Sequence, residues 1–108
     1  MDIQEAVVIL KIIRSSRLKD FADTLIKSAI KYAHIRAEWC FLSKEEKNEL
    51  EDERRIAHDA LISNCDILAR NMMNYGEDNS WRTLLGNDRK RIGDFACLVH
   101  SLIGIEAR

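Results

Sequence analysis

Apolar residues recur at helical intervals along most of the chain. Between residues 17 and 41 they follow one another three and four positions apart, which places them on one face of an amphipathic helix. The same spacing returns after Ser43 and once more between residues 88 and 105. Proline is absent and all four glycines lie after residue 75, so neither residue type interrupts a helix in the first two thirds of the chain. The pattern predicts an all-helical protein.

The ends of the predicted helices carry their own signals. Ser43 and Glu46 have the spacing of a capping box, Gly76 suits a helix end, and Ser80 can cap a short helix. The β-branched run 7–10 would also suit a strand, but no second strand candidate exists to pair with it. In chain order, the predicted helices span residues 3–14, 17–41, 43–76, 81–85 and 88–105.

These helices predict a single all-α domain over residues 1–108, an antiparallel helical bundle with a long central hairpin. The second and third helices form the hairpin, and the first and last pack along it. The third would be roughly 48 Å long, against a radius of gyration near 13 Å for a compact domain of this size. Its charged first turns therefore either project into solvent or belong to an arm that a second chain covers. The predicted core comprises Val7, Leu10, Leu18, Phe21, Leu25, Ala29, Tyr32, Ile56, Ala60, Leu61, Ile67, Leu68, Ile92, Phe95, Val99 and Leu102.

Composition limits the class of partner. The chain has 46% apolar and 32% charged residues and a net charge of -1, so it should fold, and it lacks the overall positive field that draws a protein to nucleic acid or anionic lipid. No apolar run approaches the roughly 18 residues that span a bilayer, and the amino terminus lacks a signal-peptide pattern. Three widely spaced cysteines indicate reduced thiols. We expect a cytoplasmic protein with no membrane partner.

Arg54 and His58 form the most enzyme-like pair, because a spacing of one helical turn places them on one face. The pair resembles the motif of the small helical ribonucleases of the HEPN class, in which a histidine acts as acid or base and an arginine binds the scissile phosphate. Here the spacing is four rather than five, and Arg55 would stand at the polar position. We favour the simpler interpretation, a solvated face on which these arginines pair with Glu51 or Asp59. No catalytic residue is assigned.

A metal site is not expected. Cys97 and His100 are three residues apart and could face the same way, but a zinc site would need two more ligands from other helices. A structural zinc site would more usually show paired ligands at both ends. No glycine-rich phosphate loop or nucleophile elbow is present either. The sequence therefore indicates neither a metal nor a cofactor.

The basic segment over residues 82–91 is similar to a DNA-binding helix-turn-helix. Its cationic residues are Arg82, Arg89, Lys90 and Arg91. Arg82, however, stands where a small residue usually allows the two helices to approach, and two aspartates dilute the positive charge. A basic cap on a balanced protein is the favoured interpretation. We do not expect nucleic acid to be the partner, and binding by this segment stays an alternative.

Self-association is the favoured mode of action. The apolar residues of the first helix surround nearly its whole circumference, so more than one side must be covered. Asn64 and Asn71 lie seven residues apart on the seam of the third helix, where polar residues can fix the alignment of packed helices. They could equally lie at the edge of the seam and contact water. We expect a homodimer, with a further unidentified protein as a possible partner. The predicted interface residues are Val8, Ile9, Ile12, Ile13, Asn64 and Asn71.

The second half of the chain resembles a small family of uncharacterised helical proteins from Gram-positive bacteria and their phages or mobile elements. The resemblance rests on residues 55–58, 65–70 and 88–96. It implies a bacterial cytoplasmic origin and an accessory role, and it supplies no activity. Our functional expectation is a non-enzymatic helical interaction or regulatory protein that acts through protein–protein contacts. The alternatives are phosphodiester cleavage by Arg54 and His58 and nucleic-acid binding by the basic segment.

Overall fold

The computed structural model describes residues 1–107 and has no β-strand in that range. Five helices make up the structure: α1 (Ile3–Ser15), α2 (Lys19–Trp39), α3 (Lys44–Asn74), α4 (Ser80–Leu85) and α5 (Arg89–Glu106). The all-α prediction is confirmed, and the predicted helices agree closely with the observed ones. None of the helices in residues 1–107 is long and apolar enough to cross a bilayer.

Side chains at the helix starts satisfy the free backbone donors there. The capping box of α3 is present: the Ser43 hydroxyl accepts from the Glu46 amide, and the Glu46 carboxylate accepts from the Ser43 amide, both at 3.2 Å. The Asp88 carboxylate accepts the Lys90 amide at 2.9 Å and so begins α5. Gly76 and Gly86 close α3 and α4 with φ angles of 77° and 78°, a left-handed backbone region that favours glycine.

The hairpin of α2 and α3 is the centre of the bundle. Helix α5 packs along α2, and α1 lies against α5, with smaller contacts to α4 and α2. One hydrophobic core joins all five helices. Its largest fully buried side chains include Trp81 of α4 and Phe95 of α5, followed by aliphatic residues of the other helices. The short helix α4 therefore contributes to the core and does not merely link α3 to α5.

The predicted core is partly wrong, because α1, α2 and α3 each turn some of the predicted residues away from the interior. Val7, Phe21, Ile56 and Ala60 are exposed. In α3 the buried stripe is offset by one residue from several predicted positions, since small Ala57 and Cys65 allow close packing against the bundle. The inward residues of α1 and α3 are Ala6, Ile9, Leu10, Ile13, Ala57, His58, Leu61, Cys65, Leu68, Ala69 and Met72.

The far end of the hairpin extends beyond the core. No residue between Ala33 and Ala57 is buried, and Phe41 at the hairpin turn is 90% exposed. The whole molecule measures 47 × 30 × 22 Å with a radius of gyration of 14.2 Å. The charged first turns of α3 are thus exposed in the single chain, and the covering of this arm by a second chain stays a prediction.

Core truncation should destabilise the fold strongly. Leu61→Ala or Phe95→Ala removes a side chain with no exposed surface and should lower the free energy of unfolding by roughly 2–5 kcal/mol. Ile56→Ala, on the exposed side of α3, is the matched control and should cost less than about 0.5 kcal/mol. Urea denaturation followed by circular dichroism measures both. Equal losses for the core and control variants would contradict this packing.

Candidate functional site: a basic cleft and an apolar groove

Arg54 and His58 line a cleft between the end of α2, the middle of α3 and the first turn of α5. The cleft has a volume of about 320 Å³. Two groups of residues that the sequence suggested separately meet here, because Arg89 and Lys90 of the basic segment line the same cleft. The complete lining is Tyr32, Arg36, Trp39, Cys40, Arg54, His58, Arg89 and Lys90.

His58 forms part of the floor of this cleft. It is only 3% exposed, and its Nε2 lies 2.8 Å from the main-chain oxygen of Arg89. Because a carbonyl oxygen only accepts, Nε2 must carry the proton and donate it. The other ring nitrogen, Nδ1, has no hydrogen-bond partner and is the one such buried side-chain nitrogen or oxygen in residues 1–107. The edge of the ring also packs against Tyr32, with the ring centroids 4.8 Å apart.

The surroundings of His58 keep its ring neutral. Burial lowers its pKa, and the positive charges of Arg89 and Arg54 act in the same direction. The hydrogen bond to the Arg89 carbonyl and the charge of Asp59 oppose this effect without reversing it. At neutral pH, His58 therefore presents Nδ1 as an acceptor, while Nε2 holds α3 to α5.

Every cation in the cleft has an acidic partner outside the lining. Arg54 binds Glu51 at 2.8 Å, and this hydrogen bond lowers the pKa of the glutamate. Arg89 binds Asp59 at 3.0 Å. Arg36 and Lys90 share Asp94, at 2.9 and 3.1 Å. Among the residues described, the lining itself contains no carboxylate, so all of its charged groups are cationic.

Trp39 forms an aromatic side of the cleft. The guanidinium of Arg54 lies over its ring, 5.1 Å from the centroid, within the range of a cation–π interaction.

Gly93 of α5 permits the close approach of α2, because a Cβ at this position would lie 3.0 Å from both the Tyr32 hydroxyl and an Arg36 guanidinium nitrogen. Sequence reasoning assigned no site role to Arg36 or Trp39. The available signal was Arg36, a cation that continues the apolar stripe of α2.

The basic segment does not form one surface. Arg82 turns towards the backbone, binding Asp66 at 2.7 Å and the Gly86 carbonyl at 2.6 Å. Arg91 binds the Leu85 carbonyl at 2.9 Å and also pairs with Glu5 of α1. These two arginines therefore brace the turn between α4 and α5 and the contact of that turn with α1. Only Arg89 and Lys90 of the segment reach the cleft.

The predicted interface residues are also divided. Ile9 and Ile13 have no exposed surface within the monomer, so their assignment to an interface is wrong: they face the bundle. Val8 is 49% exposed and Ile12 is half-buried against the core. Val8 is therefore accessible to a partner, and Ile12 is partly accessible.

The two asparagines of the predicted seam are half-buried on α3. The Asn71 amide donates to the Ile67 carbonyl of its own helix at 2.8 Å, a local bond that needs no second helix. The structure thus places Asn71 at the edge of the apolar stripe rather than in its middle. Its part in aligning another helix stays a prediction, as does that of Asn64.

An apolar groove runs between α1 and the end of α5, with a volume of about 380 Å³. Val7 and Leu10 of α1 and Leu102 of α5 line it. Lys11 and Arg14 belong to its α1 side, and Glu106 belongs to its α5 side, where it binds Arg14 at 2.8 Å. Sequence analysis assigned Val7 and Leu102 to the core and did not detect the groove.

The cysteines and remaining histidines form no metal site. No group of three potential ligands converges anywhere in residues 1–107. His100, the suggested partner of Cys97, packs edge-on against His34, with ring centroids 4.6 Å apart. Burial raises the pKa of the Cys65 thiol to about 12, which keeps it protonated and unreactive at neutral pH.

Neither a protein-family model, nor a curated protein, nor a solved structure matches this chain.

The lowered pKa of His58 predicts a loss of stability in mild acid. The unfolded chain, in which histidine titrates near 6.5, binds a proton that the folded ring resists, so folding becomes less favourable as the pH falls below about 6.5. In His58→Gln, the amide can still donate to the Arg89 carbonyl but does not titrate. Urea denaturation between pH 7.5 and pH 5, roughly one unit above and one and a half units below that value, should show a steeper loss for the unmodified protein. Parallel pH profiles would contradict this account.

Proposed function

We propose that the protein is a non-enzymatic helical protein that acts through protein contacts, first of all with a second copy of itself across the α1–α5 groove. One observation carries the proposal: Val7 lines an apolar groove and is nevertheless 43% exposed. Ile3, one turn earlier on the same face of α1, is 51% exposed. A connected apolar surface of this kind is typical of an interaction site.

The charges at the groove favour a second copy as the occupant. Its α1 side carries Lys11 and Arg14, and its α5 side carries Glu106. In a contact whose two-fold axis runs along the groove, the same surface meets itself in reverse, so the basic side of one protomer faces the acidic side of the other. The groove is therefore complementary to itself in charge as well as in apolar character. Of the residues predicted for the interface, Val8 and Ile12 do not line this groove.

The environment of His58 supports the non-enzymatic part of the proposal. A general acid or base must exchange its proton with a reacting group, but Nε2 already donates to a main-chain carbonyl. The ring is buried and its neutral form is favoured. These features suit a residue that joins two helices.

Self-association can be tested with two neighbouring valines. Val7→Glu places a charge in the groove and should convert a dimer to a monomer at tens of micromolar protein, measured by sedimentation equilibrium. Val8→Glu is the matched control, since Val8 has similar exposure but does not line the groove. We expect it to weaken association less. A monomeric unmodified protein, or dissociation by Val8→Glu alone, would contradict the proposed interface.

Phosphodiester cleavage is the second candidate, because Arg54 and His58 share one cleft with Arg36, Arg89 and Lys90. In this function, Nδ1 of His58 would exchange the proton and the arginines would bind the phosphate. Incubation with mixed RNA should then give fragments, and His58→Ala, checked for folding by circular dichroism, should remove the activity. Intact RNA with the unmodified protein would contradict this candidate.

A further inference from the structure

The lining of the cleft has a concentrated positive charge in a chain whose net charge is -1. Arg36, Arg54, Arg89 and Lys90 come from three different helices and surround one volume. Their counterions Glu51, Asp59 and Asp94 do not line it. Such an arrangement attracts an anion, and arginine forks are suited to phosphate oxygens in particular.

Two further features of the cleft bear on its ligand. The amino-terminal turn of α5, an 18-residue helix, reaches the cleft at Arg89 and Lys90. The positive end of its dipole stabilises negative charge, and the Asp88 carboxylate already accepts from the Lys90 amide there. The second feature is independent of the helix. His58 is buried, lines the cleft and has an Nδ1 without a hydrogen-bond partner. Because Nδ1 is a neutral acceptor, it suits a hydroxyl donor, such as one on a sugar ring, and not an anionic oxygen.

The aromatic side of the cleft indicates what else the ligand contains. Trp39 is half-buried, and Arg54 covers one face of its ring. A planar heterocycle can stack on an indole or on a guanidinium plane, and such stacking is the common way in which proteins hold a nucleobase. A phosphate alone would make no use of this aromatic side. The volume of about 320 Å³ lies at the lower end of small-molecule sites, which span roughly 300–1,000 Å³, so one nucleotide suits it better than a large dinucleotide cofactor.

We propose that the cleft binds a nucleoside phosphate, with the phosphate held by Arg54, Arg89 and Lys90 and the base stacked at Trp39. The ligand is either a free nucleotide or the terminal nucleotide of a strand, since both present a phosphate next to a base. This inference is independent of self-association, because no residue of the cleft lines the α1–α5 groove.

The first experiment titrates the unmodified protein with AMP, using calorimetry and the amide and indole signals of an NMR spectrum. We expect saturable binding with the largest shifts at Trp39 and at the start of α5. AMP should bind roughly tenfold tighter than ribose 5-phosphate, inorganic phosphate or adenosine, because only AMP offers both the charge and the base. An absence of saturable binding at millimolar AMP, or equal affinity for AMP and ribose 5-phosphate, would overturn the proposal.

Matched variants then locate the site. Arg54→Gln should weaken AMP binding roughly tenfold, whereas Arg55→Gln, one residue further along α3 and outside the cleft, should leave it unchanged. Lys90→Gln is a second test, because that side chain is 79% exposed and its loss should not affect folding. Equal effects of the Arg54 and Arg55 variants would overturn the assignment to this cleft.

The stacking part is tested separately. Trp39→Leu should abolish the preference for AMP over ribose 5-phosphate, while Phe41→Leu, an exposed aromatic residue at the same end of the hairpin, should preserve it. A preference that survives Trp39→Leu would overturn stacking at Trp39. Repeating the AMP titration with a 5′-phosphorylated oligonucleotide distinguishes the two sources of the ligand: competition with AMP supports a strand end, and binding of AMP alone supports a free nucleotide.

Discussion

The hydrogen bond from His58 to the carbonyl of Arg89 joins the middle of α3 to the first turn of α5, and the arrangement of the cleft depends on it. The ion pair of Arg89 with Asp59 is a second direct link between these two helices, and α2 packs against both. The bond fixes the position from which Arg89 and Lys90 extend. On the other side, Gly93 lets α5 approach Tyr32 and Arg36 of α2 without a clash. The hydrogen bond of His58 and the absence of a side chain at Gly93 thus determine how close α5 lies to α3 and α2, and with it the shape of the cleft.

The helices could be predicted from the sequence because their signals are local. The capping box at Ser43 and the glycine after α3 act within a few residues of the backbone they terminate. The direction in which each helix faces is decided by its neighbours, and there the prediction was less accurate. In α1, apolar residues occur on every side, so the sequence could not show that Ile9 and Ile13 face the core while Val7 and Val8 remain exposed. The interface assignment was wrong for Ile9 and Ile13 for this reason.

The candidate site shows the same division between local and tertiary information. Helical spacing was sufficient to place Arg54 and His58 on one face of α3, but not to add Arg36 and Trp39 from a separate helix. The arginines of the basic segment illustrate the opposite problem. Arg82 and Arg91 look like part of a positive surface, yet they bind backbone carbonyls at the turn between α4 and α5. The sequence alone does not distinguish an arginine that donates to main-chain oxygens from one that is free to bind a ligand.

The outer half of the α2–α3 hairpin has no buried residue between Ala33 and Ala57, and the cleft lies where this half joins the core. Such a segment should open more often than the rest of the bundle, and its amides should exchange with deuterium sooner. Trp39 and Arg54 belong to the opening part, whereas His58 and Arg89 lie beside the part that stays folded. A ligand that spans both would therefore slow exchange throughout the tip, including amides that it does not touch. The rate of amide exchange at the hairpin tip would then show whether a ligand occupies the cleft, because a bound ligand favours the folded state of the tip.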